Sequence, residues 1–151
     1  MTERRIRDDF VVAASPSDCF RIWTTEAGIR SFFAPECTVE LREDGPFEMY
    51  FLLDAEPGLR GGEGNRILAF QEPTMLSFSW NHPPQLDQIR NQRTHVILRF
   101  RAQDTEHTRV TFEQNGWGDG DQWDRAFEYF TRAWLEQVLP SFRALFETNA
   151  E

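Results

Sequence analysis

Gly116-Trp117-Gly118-Asp119-Gly120-Asp121-Gln122-Trp123 opens the stretch that decides the fold. Its glycines and aspartates make a turn and a helix start. Large apolar residues then recur at Trp123, Phe127, Phe130, Trp134, Val138 and Phe142, each three or four apart. This spacing predicts one broad apolar face on a helix about five turns long, wide enough to lie across a sheet. Asp119 or Asp121 is expected to cap the helix against its dipole. Pro140 lacks a backbone N–H, and its ring clashes with the carbonyl of Glu136. A kink is expected there, or a break into a long and a short segment.

Upstream, the period changes from helical to alternating. Ile6 to Ala14 reads as a first strand. Ser15 can then cap a helix, with Pro16 at its first position and Asp18 completing an approximate capping box. Thr24-Thr25-Glu26 restarts a second short helix, which ends at Ala34-Pro35. A meander follows. Its predicted strands are Glu36 to Arg42, Phe47 to Leu53, a segment through Ile67 to Phe70, Met75 to Trp80, Arg93 to Arg101 and His107 to Gln114. Asn81 to Gln92 reads as a polar loop. Strands and helices are segregated, so the fold class is α+β: an antiparallel sheet of about six or seven strands, two short helices after the first strand, and one long C-terminal helix. At 151 residues the chain is expected to form one domain spanning 1–151.

Composition narrows the function. The formal net charge is -9, which disfavours phosphate backbones and anionic lipid, so neither nucleic acid nor membrane is an expected partner. The 16 basic residues are all Arg. Without Lys there can be no lysine Schiff base and no P-loop lysine. No apolar signal core is expected at the N-terminus and no run reaches the roughly 18 apolar residues of a membrane helix. Two separate cysteines, Cys19 and Cys37, form no disulfide framework. A cytoplasmic protein, monomer or homodimer, fits these features.

Particular motifs resemble a known family. Pro16-Ser17-Asp18-Cys19-Phe20-Arg21-Ile22-Trp23-Thr24-Thr25, then Ile29 and Phe32-Phe33-Ala34-Pro35, are similar to its opening. Gly45-Pro46-Phe47-Glu48-Met49 resembles its Gly-Gly-x-Phe strand start, and Pro73-Thr74-Met75-Leu76-Ser77-Phe78-Ser79-Trp80 its Pro-x-x-Leu-x-Phe-Thr-Trp strand. Thr108 to Phe112, Gly116-Trp117 and Trp134-Leu135 with Val138-Leu139 resemble its end. This is the family homologous to the C-terminal domain of the Aha-type activators of the ninety-kilodalton heat-shock chaperone ATPase, within the START and birch-pollen-allergen-like (SRPBCC) superfamily. The resemblance covers nearly the whole chain. It implies a helix-grip fold, with a cavity between sheet and C-terminal helix that often takes hydrophobic ligands. Some members of the superfamily are cyclases or aromatases. The eukaryotic activators carry an additional N-terminal domain and lysine-containing partner contacts. This acidic, Lys-free sequence departs from both, so chaperone regulation ranks behind ligand binding.

The expected function is therefore noncatalytic binding of a hydrophobic or aromatic small molecule. The candidate walls are Phe47, Met49, Phe51, Phe78, Trp80, Leu98 and Phe112 from strands, with Phe130 and Trp134 from the helix. The plainer assignment, packing alone, can hold for many of them, because aromatics making up 14% of the chain also build a core. A cyclase or isomerase in the same cavity is the alternative, and it needs an inward acid, base or Arg. Glu48, Glu63 and Glu113 are the carboxylates to consider. Alternation points Glu48 and Glu113 to solvent and leaves Glu63 and Tyr50 open. His82, His95 and His107 are too scattered for a metal site, with His82 and His107 expected to be exposed. Gly61-Gly62-Glu63-Gly64 leads into a strand and reads as a flexible hairpin, not a phosphate loop. No catalytic residue, metal or cofactor is expected.

Overall fold

A computed structural model describes residues 4–147. The remaining terminal residues of the span 1–151, including Met1 to Glu3 of the stretch read for a signal segment, lie outside the described residues. The chain begins with β1 (Ile6–Val12), α1 (Pro16–Thr24) and α2 (Glu26–Arg30). Ser15 caps α1 by accepting from the Asp18 N–H at 3.1 Å, and Thr25 caps α2 by accepting from Gly28 at 3.1 Å. The meander is β2 (Glu36–Val39), β3 (Phe47–Tyr50), β4 (Ile67–Gln71), β5 (Met75–Trp80), β6 (Thr94–Ala102) and β7 (Thr108–Asn115).

Among the described residues, seven strands fall into a five-stranded antiparallel sheet of order β1-β7-β6-β5-β4 and a β2-β3 hairpin. Isolated bridges at Pro46–Arg66 and Tyr50–Gly61 tie the hairpin to the chain entering β4. Burial follows the period of two predicted from sequence. Leu76, Phe78 and Trp80 face inward from β5, Val96, Leu98 and Phe100 from β6, and Val110 and Phe112 from β7. The C-terminal helix lies over this face. Phe112 meets Trp134 at 4.7 Å between ring centroids, and Phe10 meets Phe142 at 6.3 Å. Sheet and helix therefore form the helix-grip arrangement.

The long helix differs from the sequence reading in two respects. Its N-cap is Gly120, at φ 119, with no side-chain cap bond, so neither Asp119 nor Asp121 caps it. A φ in this range suits glycine. Asp121 is instead the first residue of α3 (Asp121–Arg132), where Asp121 and Asp124 oppose the dipole from the first turn. The helix then opens into a π turn, Ala133–Val138, before α4 (Leu139–Ala144). Pro140 lies in the first turn of α4, where a missing N–H is tolerated. The helix is not broken: Arg132, Ala133, Val138 and Leu139 all keep helical backbone angles, and the irregularity before Pro140 is the π turn. Because one residue is inserted, the inward step after Trp134 is five rather than four. Leu139 is buried at 0% exposure, while Val138 is only partly buried.

The loop Asn81 to Gln92 is polar in composition but anchored by two apolar residues. Leu86 and Ile89 are each 4% exposed and join the core.

Candidate functional site

Five large side chains from separate elements converge where the sheet edge meets the π turn. Phe33 follows α2, Phe51 follows β3, Trp80 ends β5, Phe130 lies on α3 and Trp134 lies in the π turn. Phe33 is the hub, with ring centroids 6.0 Å from Phe51, 5.7 Å from Trp80 and 5.5 Å from Trp134. Trp80 and Trp134 are 5.5 Å apart. Together with Tyr129, Ala133, Gln137 and Val138 they enclose a lobe of about 260 Å³. A π turn widens a helix locally and is frequent at functional sites. Here Ala133, Trp134, Gln137 and Val138 of that turn form one wall.

A second lobe of about 210 Å³ adjoins it, sharing Phe51, Trp80, Tyr129 and Phe130. Its further walls are Leu52, Leu59, Arg60, Gly61 and the segment 81–85. The rim is exposed at Phe51 and Tyr129, so the two lobes form one groove open to solvent. A depression of about 370 Å³ on the outer helix face is lined largely by charged and polar side chains, including Arg125, Glu128 and Arg132. It lacks the converging apolar walls of a ligand site.

Of the nine residues expected to line a cavity, Phe51, Trp80, Phe130 and Trp134 border the groove. Phe47, Met49, Phe78, Leu98 and Phe112 lie behind them, each at most 1% exposed. Phe47 and Phe78 stack at 4.2 Å, and Phe78 supports Trp80 at 5.8 Å. They hold the wall in place rather than forming its surface. Phe33 was not among the nine, because Phe32-Phe33-Ala34-Pro35 reads as a helix end; its sequence carries no signal for the direction of that ring.

The loop feeding the second lobe is fixed by a polar network. Glu63 accepts backbone N–H bonds from Gly58 at 2.5 Å, Arg60 at 3.0 Å and Gly61 at 2.9 Å, and lies 3.8 Å from the Arg90 guanidinium. Its carboxylate is thus committed to the loop and does not border the groove. The glycine-rich segment is clamped, not a flexible hairpin. Gly61, at φ 146, is required: a Cβ there would meet the Met49 carbonyl at 2.9 Å. Buried Asn81 donates to the carbonyls of Gly61 and Glu63 at 3.1 and 3.2 Å and accepts from Asn65 at 3.2 Å. This stitches the loop to the end of β5. Arg90 donates to the carbonyls of Gly58, Gly61 and His82.

The other candidate acids and bases are also engaged. Tyr50 donates to Glu48 at 2.5 Å, and Glu48 accepts from the Gly64 N–H at 2.9 Å, so Glu48 is bonded and only partly exposed, not freely solvated. Burial, then the bond to Glu48, holds the Tyr50 hydroxyl pKa above its ordinary value. Glu113 pairs with Arg7 at 3.1 Å on the outer face. Cys19 and Cys37 are buried free thiols, pushed up to about 12 and about 11 chiefly by desolvation, and are poor nucleophiles there.

His82 departs most from the sequence reading. It is 1% exposed, not solvated, because its ring packs among Trp123 at 4.8 Å, Phe130 at 5.9 Å and Trp117 at 6.4 Å. Burial, aided by the nearby charges of Arg93 and Arg90, depresses its pKa to about 4 and keeps it neutral. His82 lines the second lobe. Asn-His-Pro-Pro gives no periodic pattern from which such burial could be read. His107 is only partly exposed, and it pairs with Asp104 at 2.9 Å. Among the described residues no group of three or more His, Cys, Asp or Glu could hold a metal, and no helix is long and apolar enough to cross a membrane.

Comparison with known proteins places the chain. Residues 13–147 match the family model described as Activator of Hsp90 ATPase homolog 1-like protein, and the chain belongs to that family. No curated protein matches its sequence. Solved structures share its fold. An HSP90 activator from Plasmodium falciparum aligns at TM-score 0.70 and 14% identity, over 93% of this chain and 94% of that one. A protein from Mesorhizobium loti aligns at 0.73 and 17%, over 98% and 100%. The Aha1 dimer from Colwellia psychrerythraea aligns at 0.71 and 13%, over 98% and 99%.

Proposed function

We propose that this family member binds a small hydrophobic or aromatic molecule in the groove between sheet edge and π turn. The observation that carries this reading is the 260 Å³ lobe, walled by Phe33, Phe51, Trp80, Phe130 and Trp134 and bordered by no Asp, Glu, Arg or His. Such a lining favours transfer of an apolar ring from water, at about 25 cal/mol per Å² of apolar surface buried. The two lobes together fall within the roughly 300–1,000 Å³ range of small-molecule sites. Phe47, Met49, Phe78, Leu98 and Phe112 serve in this reading as the packed support that holds the walls. The ligand is bound without covalent chemistry. Two buried free thiols suit a reducing cytoplasm, where we place the protein.

Native mass spectrometry of gently purified protein tests the reading by its co-purified mass. Titration with naphthalene, followed by Trp fluorescence, gives the binding curve. Saturable quenching that weakens in Phe51→Ser supports it; no binding of any aromatic probe up to its solubility limit ends it. The family match supports a second reading, regulation of a chaperone ATPase. Stimulation of that ATPase by this protein would support it, and no effect at saturating concentration would end it.

A further inference from the structure

The exposed apolar side chains of this chain are not scattered. Among the described residues eight large hydrophobics are exposed, and five of them, Phe51, Leu52, Leu53, Leu59 and Tyr129, lie on the loop 51–59 or on α3 beside the groove. Leu52 and Leu59 border the 210 Å³ lobe together with Tyr129 and Phe130, so loop and helix flank the same opening. A contiguous exposed apolar surface rimmed by polar residues is the mark of an interaction site.

The two flanks are complementary. The loop carries the knobs, Leu52 and Leu53, followed by the exposed acids Asp54 and Glu56. Neither carboxylate has an ion-pair or hydrogen-bond partner among the described residues. The helix carries the hollows. Arg125, Tyr129 and Arg132 recur at four and three residues and share one outward face. Tyr129 stands between the depression of about 370 Å³, lined by Arg125, Glu128 and Arg132, and another of about 300 Å³, lined by Pro83, Leu86 and Arg125. In a chain of net charge -9, these two hollows carry two Arg against one Glu. Arg132 meets Glu128 at 3.3 Å, and Arg125 meets Asp121, outside both linings, at 3.9 Å. Such exposed pairs are worth little and exchange readily for new partners.

The loop is braced. The Ala55 N–H donates to the Leu52 carbonyl at 3.1 Å, the Leu59 N–H to the Glu56 carbonyl at 2.9 Å, and Arg60 Nε to the Ala55 carbonyl at 2.8 Å. Glu63 clamps its base through Gly58, Arg60 and Gly61. Its leucines are presented outward by a preorganised segment, which lowers the ordering cost of docking. Such bracing does not suit a lid hinged to close on its own groove. Asp54 and Glu56 beside the leucines oppose an anionic lipid surface. Complementary patches on either side of one opening are what a two-fold axis requires, because each patch then meets its mate on the other copy.

We propose that this face joins two copies of the chain in a symmetric dimer: the loop 51–59 of each lies over α3 of the other, with Leu52 and Leu53 beside the second copy's Tyr129, and Asp54 and Glu56 toward its Arg125 and Arg132. The axis passes over the groove. Each loop then roofs the groove mouth of the other copy, and Phe51 and Tyr129 leave water on association.

Charge reversal in trans tests this. Asp54→Arg with Glu56→Arg makes both flanks basic; Arg125→Glu with Arg132→Glu makes both acidic. All four side chains are exposed, so the fold is kept, as circular dichroism checks. In sedimentation velocity without ligand, wild type should pass from monomer to dimer between about 1 and 100 μM. Each double variant alone should dimerise at least about tenfold more weakly, because like charges then face each other. Their equimolar mixture should recover the dimer, since each basic flank meets an acidic one in the heterodimer. Leu53→Glu should also be monomeric. A wild type that stays monomeric throughout, including one that co-sediments with phosphatidylcholine vesicles instead, would overturn the proposal. So would a dimer that every variant leaves intact, or a mixture as weak as its components. Association is read without ligand, so failure here leaves the binding function untouched.

Discussion

Replacing His82 by Gln should remove a pH dependence of stability that the fold imposes on itself. In the unfolded chain this imidazole titrates near 6.5; in the folded protein burial, with Arg93 and Arg90 nearby, lowers that to about 4. Between those values the unfolded state binds the proton and the folded state does not. Stability therefore rises with pH across the window and is lost as pH falls from about 6.5 toward 4. At 1.36 kcal/mol per unit, the full loss is about 3 kcal/mol, with about 2 kcal/mol of it gone by pH 5. The ring is 1% exposed, so solvent screening does not dilute the effect. Acid sensitivity from every other group is common to both proteins and cancels in the difference. The assay is urea unfolding of wild type and His82→Gln at pH 7, 6, 5 and 4.5, read as the difference in free energy at each pH. The wild type should lose about 2 kcal/mol more than the variant between pH 7 and 5. Parallel profiles would refute the reasoning, since they would mean that His82 titrates normally in the folded protein.

Three further outcomes follow from the packing. Leu139→Ala should destabilise by about 2–5 kcal/mol and Val138→Ala by about 1 kcal/mol or less, measured by denaturant unfolding; the reverse order would remove the π turn from the account. Glu63→Gln should speed amide exchange at Gly58, Arg60 and Gly61 and destabilise by about 1–3 kcal/mol, because three N–H groups lose a charged acceptor; unchanged exchange would show that the loop holds itself. Phe51→Ser should weaken naphthalene binding severalfold at a stability cost within about 1 kcal/mol, since the side chain is 40% exposed at the rim; wild-type affinity would remove it from the wall.

The sequence made most of the architecture legible because alternation and helical spacing directly encode burial. Ser15 and Thr25 cap as their chemistry requires, and β5 runs from Met75 to Trp80 as its alternating residues indicate. Phase within the last helix was not legible. Val138 and Leu139 are both apolar, and only the inserted π residue decides which faces the sheet. Pro140 signalled an irregularity, but the helix accommodates it with a π turn rather than a break. Candidate walls were half legible: alternation tells which strand face is inward, but not whether an inward ring at the sheet centre touches a cavity or other rings. Hence Phe78 and Phe112 pack behind Trp80 and Trp134. The burial of His82 arises from packing against segment 117–130, and the clamping by Glu63 from contacts among residues 58–63 and Arg90; no local period records either.

The most direct measurement of aromatic binding in the groove is an NMR titration of the five Trp indole N–H resonances with naphthoate. Trp80 and Trp134 border the groove, while Trp23 packs against Phe32, Phe33 and Phe142 and does not line it. The account predicts saturable shifts of the Trp80 and Trp134 resonances, with Trp23 unmoved. Saturable binding that moves Trp23 and leaves Trp80 and Trp134 in place, or no shift of either at the highest soluble concentration, would contradict it.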